Sequence, residues 1–324
     1  MTHVITADPA AMERRAQRDA RLDRWFRRLL SVCALMVLAA LLGAALSTLW
    51  GGRTVLFGDG LDFLTRADWN PVAGRFGALA PVFGTVVTAL IALVLAVPLA
   101  FGIALFLTEV APRSLRAPVS MAIELLAAVP SIIYGMWGLF VLVPFMADHI
   151  QPALDSSLGR LPLIGALFSG PPLGLGILTA GVVLAVMIVP FIAAVMREVF
   201  LAVPTRLKES ARALGATPWE VVWDIVLPAT RGAVVGGIFL GLGRALGETM
   251  AVTFVLGNAY DINASLLMPG TSISSSIANE FNEATGDHRA ALLALGFLLF
   301  VVTFVVLLLA RWMLRRLARR EGEQ

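Results

Sequence analysis

The chain reads as an all-α membrane protein with six transmembrane helices, and three observations lead there. Of its 324 residues 58% are hydrophobic and only 15% are charged, with a mean hydropathy of +0.85, whereas a soluble domain carries about 25% charged residues. The apolar residues are also gathered into long uncharged runs: Leu29 to Gly52, Phe76 to Thr108, Leu125 to Ala147, Leu161 to Met196 and Ala290 to Ala310. About 20 apolar residues cross a bilayer core as a helix, while a barrel strand would alternate polar and apolar positions. The third observation is the placement of Lys and Arg, which alternates in density from one connection to the next.

The elements follow in order. A basic tail, 1–28, carries seven arginines and leads into span one at 29–50. The basic stretch from Arg14 to Arg28 is long, and the apolar run exceeds the roughly 7–15 residues usual in a secretory leader. The sequence therefore predicts a retained helix. A loop, 51–76, separates it from a transmembrane domain, 77–310, whose spans are placed at 79–108, 121–146, 173–196, 230–257 and 290–310. A second basic tail, 311–324, closes the chain.

Nineteen of the 25 Lys and Arg fall in the first tail, the 109–120 connection, the 197–231 segment and the last tail. Five lie on the opposite side (Arg53, Arg66, Arg75, Arg160 and Arg289), and Arg244 falls within a span. Both termini are expected in the cytoplasm. The tail Arg315-Arg316-Leu317-Ala318-Arg319-Arg320, directly beside a span, is read as an anchor for anionic membrane lipid rather than a nucleic-acid surface. A single cysteine, Cys33, excludes an internal disulfide. Three scattered histidines, His3, His149 and His288, argue against a metal site.

The most specific local signal runs from Lys208 to Pro228, within a connection placed at 197–229. Gly215 suits a helix end that needs positive φ. Thr217 is a good N-cap, Pro218 fits the first helical position, and Glu220 completes a capping box. Two short helices joined at a turn are expected, the second halted by Pro228 ahead of the membrane. The order Glu209-Ser210-Ala211, then Gly215, then Ile225-x-Leu227-Pro228 resembles the EAA loop of permeases from binding-protein-dependent ABC importers. It departs from that pattern only at Ser210, where alanine is usual.

Three further strings look like the PstC type of phosphate-importer permease. They are Phe83 to Ala89, Ala127 to Leu139 and Gly241 to Val252, and the resemblance extends over roughly 77–310. It implies a type I, MetI-like ABC permease fold in the bacterial inner membrane, forming half of a pathway for inorganic phosphate, with sulfate and molybdate permeases as the alternative. The implied partners are a sister permease (PstA-like), a cytoplasmic ATPase dimer (PstB-like) and an external phosphate-binding protein (PstS-like). Glu209, Ala211, Leu214, Gly215, Thr217 and Pro218 would then contact the ATPase. No cofactor is expected in this chain, and ATP would bind at the partner. The chain's one lysine, Lys208, is preceded by none of the glycines that a phosphate-cradling loop requires. Nor does it carry the paired acids or nucleophile strings of an intramembrane enzyme, so a transport permease is expected. A lone channel or secondary transporter is the remaining class, but the inverted repeats and broken helix pairs of such transporters are not evident.

Arg244 and Glu248 are read as i,i+4 neighbours on one face of span five, about 6 Å apart along the axis. Gly237 and Gly241 precede them on that face, and Gly232, Gly236, Gly243 and Gly247 form a second small-residue row. A charge inside a span marks a partner or a water-filled path. Two readings stay open. One is an ion pair that holds the bundle together. In the other, Arg244 is a bidentate donor to an anion in transit, with Glu248 positioning it and preventing tight trapping. Ser131, after the helix-bending Pro130, and Tyr134 either add neutral donors to that path or simply pack. Finally, the 258–289 stretch is long for a connection, so Ser272–Ser276 and Asn279–Glu283 are expected as either an external docking surface or a solvated cap.

Overall fold

The computed structural model describes residues 9–321 apart from Asp59 and Leu163, and these are helical nearly throughout. Among the described residues six helices are long and apolar enough to cross a membrane. The chain falls into two units, Met1–Trp50 and Gly51–Gln324. The first holds α1, Pro9–Gly51, whose apolar stretch begins at Leu22 rather than 29. Most of the basic tail is thus the polar end of the same helix, because Arg and Ala are good helix formers with no breaker among them. His3, like the rest of 1–8, lies outside the described residues.

The second unit opens with two short helices, Arg53–Gly58 and Leu61–Thr65, and a tight turn closed by an Asn70–Arg75 bridge. Then come α2 (Leu79–Val110), the amphipathic α3 (Arg113–Ala127), α4 (Ser131–Ser157) and α5 (Ile177–Leu201). The short α6 (Thr205–Ala213) leads to α7 (Pro218–Leu246), α8 (Met250–Thr253), α9 (Ile273–Glu280) and α10 (Gly286–Glu321). The core is the α2–α5 pair. Ala89, Ala92, Ala96, Ala100 and Ala104 form a fully buried stripe on α2. Small residues at such spacing let helix backbones approach closely. From the other side Gly181 is pressed so near that an added Cβ would sit 2.5 Å from Ile91.

Apart from shifts of a few residues at the ends, such as Ile177–Leu201 for the span expected at 173–196, two spans are cut differently from expectation, and proline is the reason for the first. The third span was expected at 121–146, but Pro130 is extended (φ −57°, ψ 137°), and a residue ahead of proline avoids the α region. The uncharged run is therefore cut into the end of α3 and the start of α4. Pro144, Pro152 and Pro228 do not end their helices. Each of the four π turns among the described residues (Phe106–Val110, Gly138–Leu142, Met146–Ile150, Val221–Val226) stops two residues before a proline. A proline ring clashes with the carbonyl four residues back. In Pro144, Pro152 and Pro228 that carbonyl lies inside a π turn, and the widened turn makes room. The amides of Val143, Gln151 and Leu227 accordingly reach five residues back, to Gly138, Met146 and Val222. Pro228 thus does not halt the second short helix, which runs straight into span five.

The second difference is at 230–257, where the helix ends at Leu246. The segment beyond α8 also turns inward rather than outward. Ser272, Ser274, Ser275 and Ser276 are buried, so Ser272–Ser276 is not a docking surface. Ser272 caps α9 by accepting from the Ser275 amide, and the Ile273 amide donates to Thr85 Oγ1 on α2 at 2.9 Å. Gly84 permits this approach, since a Cβ there would lie 1.8 Å from the Thr271 carbonyl oxygen. At the end of α9, Glu280 accepts from Trp69 Nε1 (2.8 Å) and Tyr260 Oη (2.5 Å) and lies 2.7 Å from His288 Nε2. Burial, reinforced by the Glu280 hydrogen bond, pushes the Tyr260 phenol well above its ordinary pKa, so it stays a protonated donor.

Candidate functional site

Two places carry the residues singled out in the sequence. The first is the elbow between α6 and α7. After Ala213 the chain turns through Leu214 and Gly215, where φ is +93°. The Gly215 amide donates to the Arg212 carbonyl at 3.0 Å and the Ala216 amide to that of Ala211 at 3.1 Å. This pair of bonds is a Schellman closure and needs the left-handed residue that glycine supplies. Two residues on, the capping box forms in full: the Glu220 amide donates to Thr217 Oγ1, and the Thr217 amide donates to Glu220 Oε2 at 2.7 Å.

Glu209, Gly215, Thr217 and Pro218 are exposed, Ala211 is half-buried, and Leu214 is 91% exposed. Trp219 and Trp223, also exposed, meet edge to face with centroids 5.3 Å apart. Neither tryptophan was anticipated as part of this surface; their i,i+4 spacing at the start of a helix was the available signal. An apolar tip of this kind on a rigid bend is a surface shaped for a partner.

Also unanticipated is what holds α6 in place. Glu109, on the π turn that ends α2, has a side chain only 3% exposed. Its Oε1 lies 2.6 Å from Lys208 Nζ and its Oε2 2.9 Å from Arg212 Nη2. Lys208 Nζ also donates to the Phe200 carbonyl on α5 at 3.1 Å.

The second place is the end of α7. The structure overturns the shared-face reading of Arg244 and Glu248, because the helix stops between them. Gly247 is the C-cap, Thr249 leaves the helical path at φ −116°, and Glu248 Oε1 accepts from the Ala251 amide at 3.2 Å to start α8. Arg244 is half-buried with its guanidinium 5.4 Å from the centroid of the Phe191 ring, a cation–π distance. Among the described residues no carboxylate lies within ion-pair reach of it. The bundle-holding ion pair is therefore absent.

The Tyr134 hydroxyl donates to the Leu126 carbonyl at 2.8 Å, which ties α4 to α3. Ser131 is half-buried in the first turn of α4. The two glycine rows have different surroundings. Gly237 and Gly241 face Val195 and Ile192 of α5, whereas Gly232, Gly236 and Gly243 have open space where a Cβ would be.

Residues 96–319 match the family described as binding-protein-dependent transport system inner membrane component. The chain belongs to that family. Within it the permease is 64% identical to the phosphate transport system permease protein PstC of Xylella fastidiosa over 94% of each chain. It is 51% identical to the PstC permease of Mesorhizobium japonicum, over 99% of this chain and all of that one. Two solved transporters share its fold at 18% identity. A methionine ABC transporter, MetNI, in an inward-facing form has a TM-score of 0.53 and covers 77% of this chain and 96% of its own. A bacterial alginate ABC transporter in complex with a pentasaccharide-bound periplasmic protein has a TM-score of 0.61 and covers 92% and 96%. The permease is thus a multi-pass inner-membrane protein with the MetI-like ABC importer fold.

Proposed function

We propose that the permease forms one half of a membrane pathway for the import of inorganic phosphate, powered by ATP bound and hydrolysed on a separate cytoplasmic ATPase pair. The observation that carries this reading is the 64% identity, along nearly the whole of both chains, to a relative named a phosphate permease. A sister permease of the same fold supplies the other half, and an external phosphate-binding protein delivers the anion. Both termini and the α6–α7 elbow face the cytoplasm. Glu209, Ala211, Leu214, Gly215, Thr217 and Pro218 meet the ATPase, with Trp219 extending the apolar contact.

Arg244 is the anion's donor in the pathway. Its guanidinium is held by an aromatic face and not by a carboxylate, so its hydrogen-bonding fork is free to take two oxygens of a tetrahedral oxyanion. Ser131 and Tyr134 line the same pathway, Tyr134 as an acceptor. Glu248 influences it through α8 rather than as a counter-charge. One arginine suits sulfate or molybdate equally well, and the relatives' names favour phosphate. The test is uptake of labelled phosphate by the reconstituted four-component importer, with sulfate and molybdate as competitors. Uptake should need ATP and yield to neither competitor. Transport by this chain alone would instead support an autonomous channel or secondary transporter.

A further inference from the structure

We infer that Glu109 is a positioning residue of the transport cycle, the joint that makes the α6 end of the elbow move as one body with α2 and α5. The argument rests on the reading of that elbow as the ATPase contact. Three elements converge on one buried carboxylate and one lysine. Glu109 belongs to the last turn of α2, Lys208 and Arg212 to α6, and the Phe200 carbonyl that Lys208 also binds belongs to the last turn of α5. The side chains of Glu109 and Lys208 are only 3% and 10% exposed. At such depth a charge pair is geometrically exacting, because parting the charges without water to receive them is strongly unfavourable.

The bodies being joined are stiff. The alanine stripe of α2 is locked against α5, so a displacement of α6 that keeps the three contacts must carry both spans. The start of α7 meets the same π turn across a softer boundary. It is an open apolar groove of about 380 Å³ between Gly102, Phe106 and Val110 on one side and Pro218, Trp219 and Val222 on the other. One arm of the elbow is thus pinned to the core by ion pairs, and the other rests on it through a loosely filled groove. A push at the exposed tip, Leu214, therefore passes to α2 and α5 through Glu109, while the first turns of α7 can shift against the end of α2; further along, α7 packs closely on α5 at Gly237 and Gly241. Nothing in the sequence pattern of the elbow itself assigns this role to Glu109, which lies about a hundred residues earlier.

The test uses the complete importer in proteoliposomes, carrying the double variant Glu109→Gln/Lys208→Met. Replacing both buried partners leaves no lone buried charge, and Arg212, 45% exposed, can turn to water. The complex is expected to assemble and to keep binding-protein-stimulated ATP hydrolysis. Phosphate taken up per ATP should fall about tenfold or more, within the usual range of coupling between sites. Glu109→Asp, which keeps the charge but shortens its reach, should lower the same ratio by a smaller factor, and it decides the matter if the double variant does not assemble. An unchanged ratio, or uptake and hydrolysis falling in proportion, overturns the joint. A Leu214→Cys cross-link to the ATPase separates the two readings. No cross-link removes the docking assignment and the joint with it, whereas a cross-link with unchanged coupling removes the joint alone.

Discussion

Glu109 and Arg244 stand at opposite extremes of how a charge is held inside an apolar bundle. Glu109 is enclosed, with both oxygens paired and a backbone carbonyl sharing its lysine. Arg244 is half-buried over a phenylalanine ring with no carboxylate in reach among the described residues. Removing a charge from water is repaid only by close partners with satisfied hydrogen bonds. The first arrangement meets that condition internally and has nothing left over for a ligand. The second does not, and it keeps donors in reserve. The comparison teaches that a saturated charge fixes geometry, whereas an unsaturated one is available for binding. On the function proposed above, the first would serve coupling and the second conduction.

The largest expected effect is at the unsaturated end. Arg244→Gln should abolish phosphate uptake while leaving the yield of assembled complex unchanged, because among the described residues no ion pair is lost with it, and the Phe191 ring contact is the interaction removed. Arg244→Lys should restore only part of the uptake, since an ammonium lacks the two-pronged fork. Uptake measured against complex recovered from the membrane checks this, and a proportional loss of both would make the arginine structural. At the saturated end the effect falls on stability. Lys208→Met leaves Glu109 buried with Arg212 as its only ionic partner. It should lower the unfolding free energy by about 3 kcal/mol, read from a denaturant titration of the purified permease. If the two substitutions swapped signatures, the contrast between fixed and available charge would be wrong.

The same two places show what a sequence reveals about a fold. The elbow was legible because its determinants are local. A positive-φ glycine, a threonine cap, a proline in the first turn and a glutamate three residues on act within a few residues of one another. Six spans and the family were legible too, since long apolar runs and motif spacing depend on no tertiary detail. Pro228 was misread because its usual effect is to break a helix, whereas here a π turn absorbs it. The end of α7 was misread for a different reason. Helical periodicity puts Arg244 and Glu248 on one face, but Glu248 instead turns back to cap α8, and glycines on either side gave the chain freedom to leave the axis. The Glu109–Lys208–Arg212 contact was invisible because its partners lie far apart in the chain and no periodicity links them. Ser272–Ser276 was expected at the surface because the connection is long, yet the Ser272 hydroxyl accepts from the Ser275 amide, the Ser275 and Ser276 hydroxyls bond Asn258 and Thr271, and the Ile273 amide donates to Thr85.

A smaller effect probes the bend that connects the two charges. Gly215 has φ +93° and open space around it, so a side chain there meets no neighbour and only the backbone objects. Gly215→Val should cost about 1–2 kcal/mol, the penalty of holding a side-chain-bearing residue in a left-handed conformation. Gly215→Asn, which tolerates that region better, should cost less. If the elbow is rigid because it transmits force, the valine variant should also lower uptake per ATP. Thermal unfolding and transport stoichiometry on one preparation separate the two effects, and a valine variant as stable as the parent would mean the turn has another conformation available.

The smallest expected effect tests whether the elbow's own caps matter once α6 is pinned through Glu109. Thr217 accepts from the Glu220 amide and receives the Glu220 carboxylate at its own amide. Thr217→Ala deletes the hydroxyl but keeps the Glu220–backbone bond, so only half of the box is lost. Cap removal costs about 1 kcal/mol in general, and here Thr217 and Glu220 are both exposed, so water can take over the freed amide. The expected loss is therefore at or below that figure, with uptake per ATP unchanged because the Glu109 contacts are untouched. Glu220→Ala removes the other half, and the double variant should lose little more than the larger single change, since each partner's contribution depends on the other. Denaturation midpoints of the three variants measure this directly. A loss well above 1 kcal/mol for Thr217→Ala, or a fall in coupling, would mean that the cap and the ion pairs act as one unit, and the pinned and resting arms of the elbow would then not be separable.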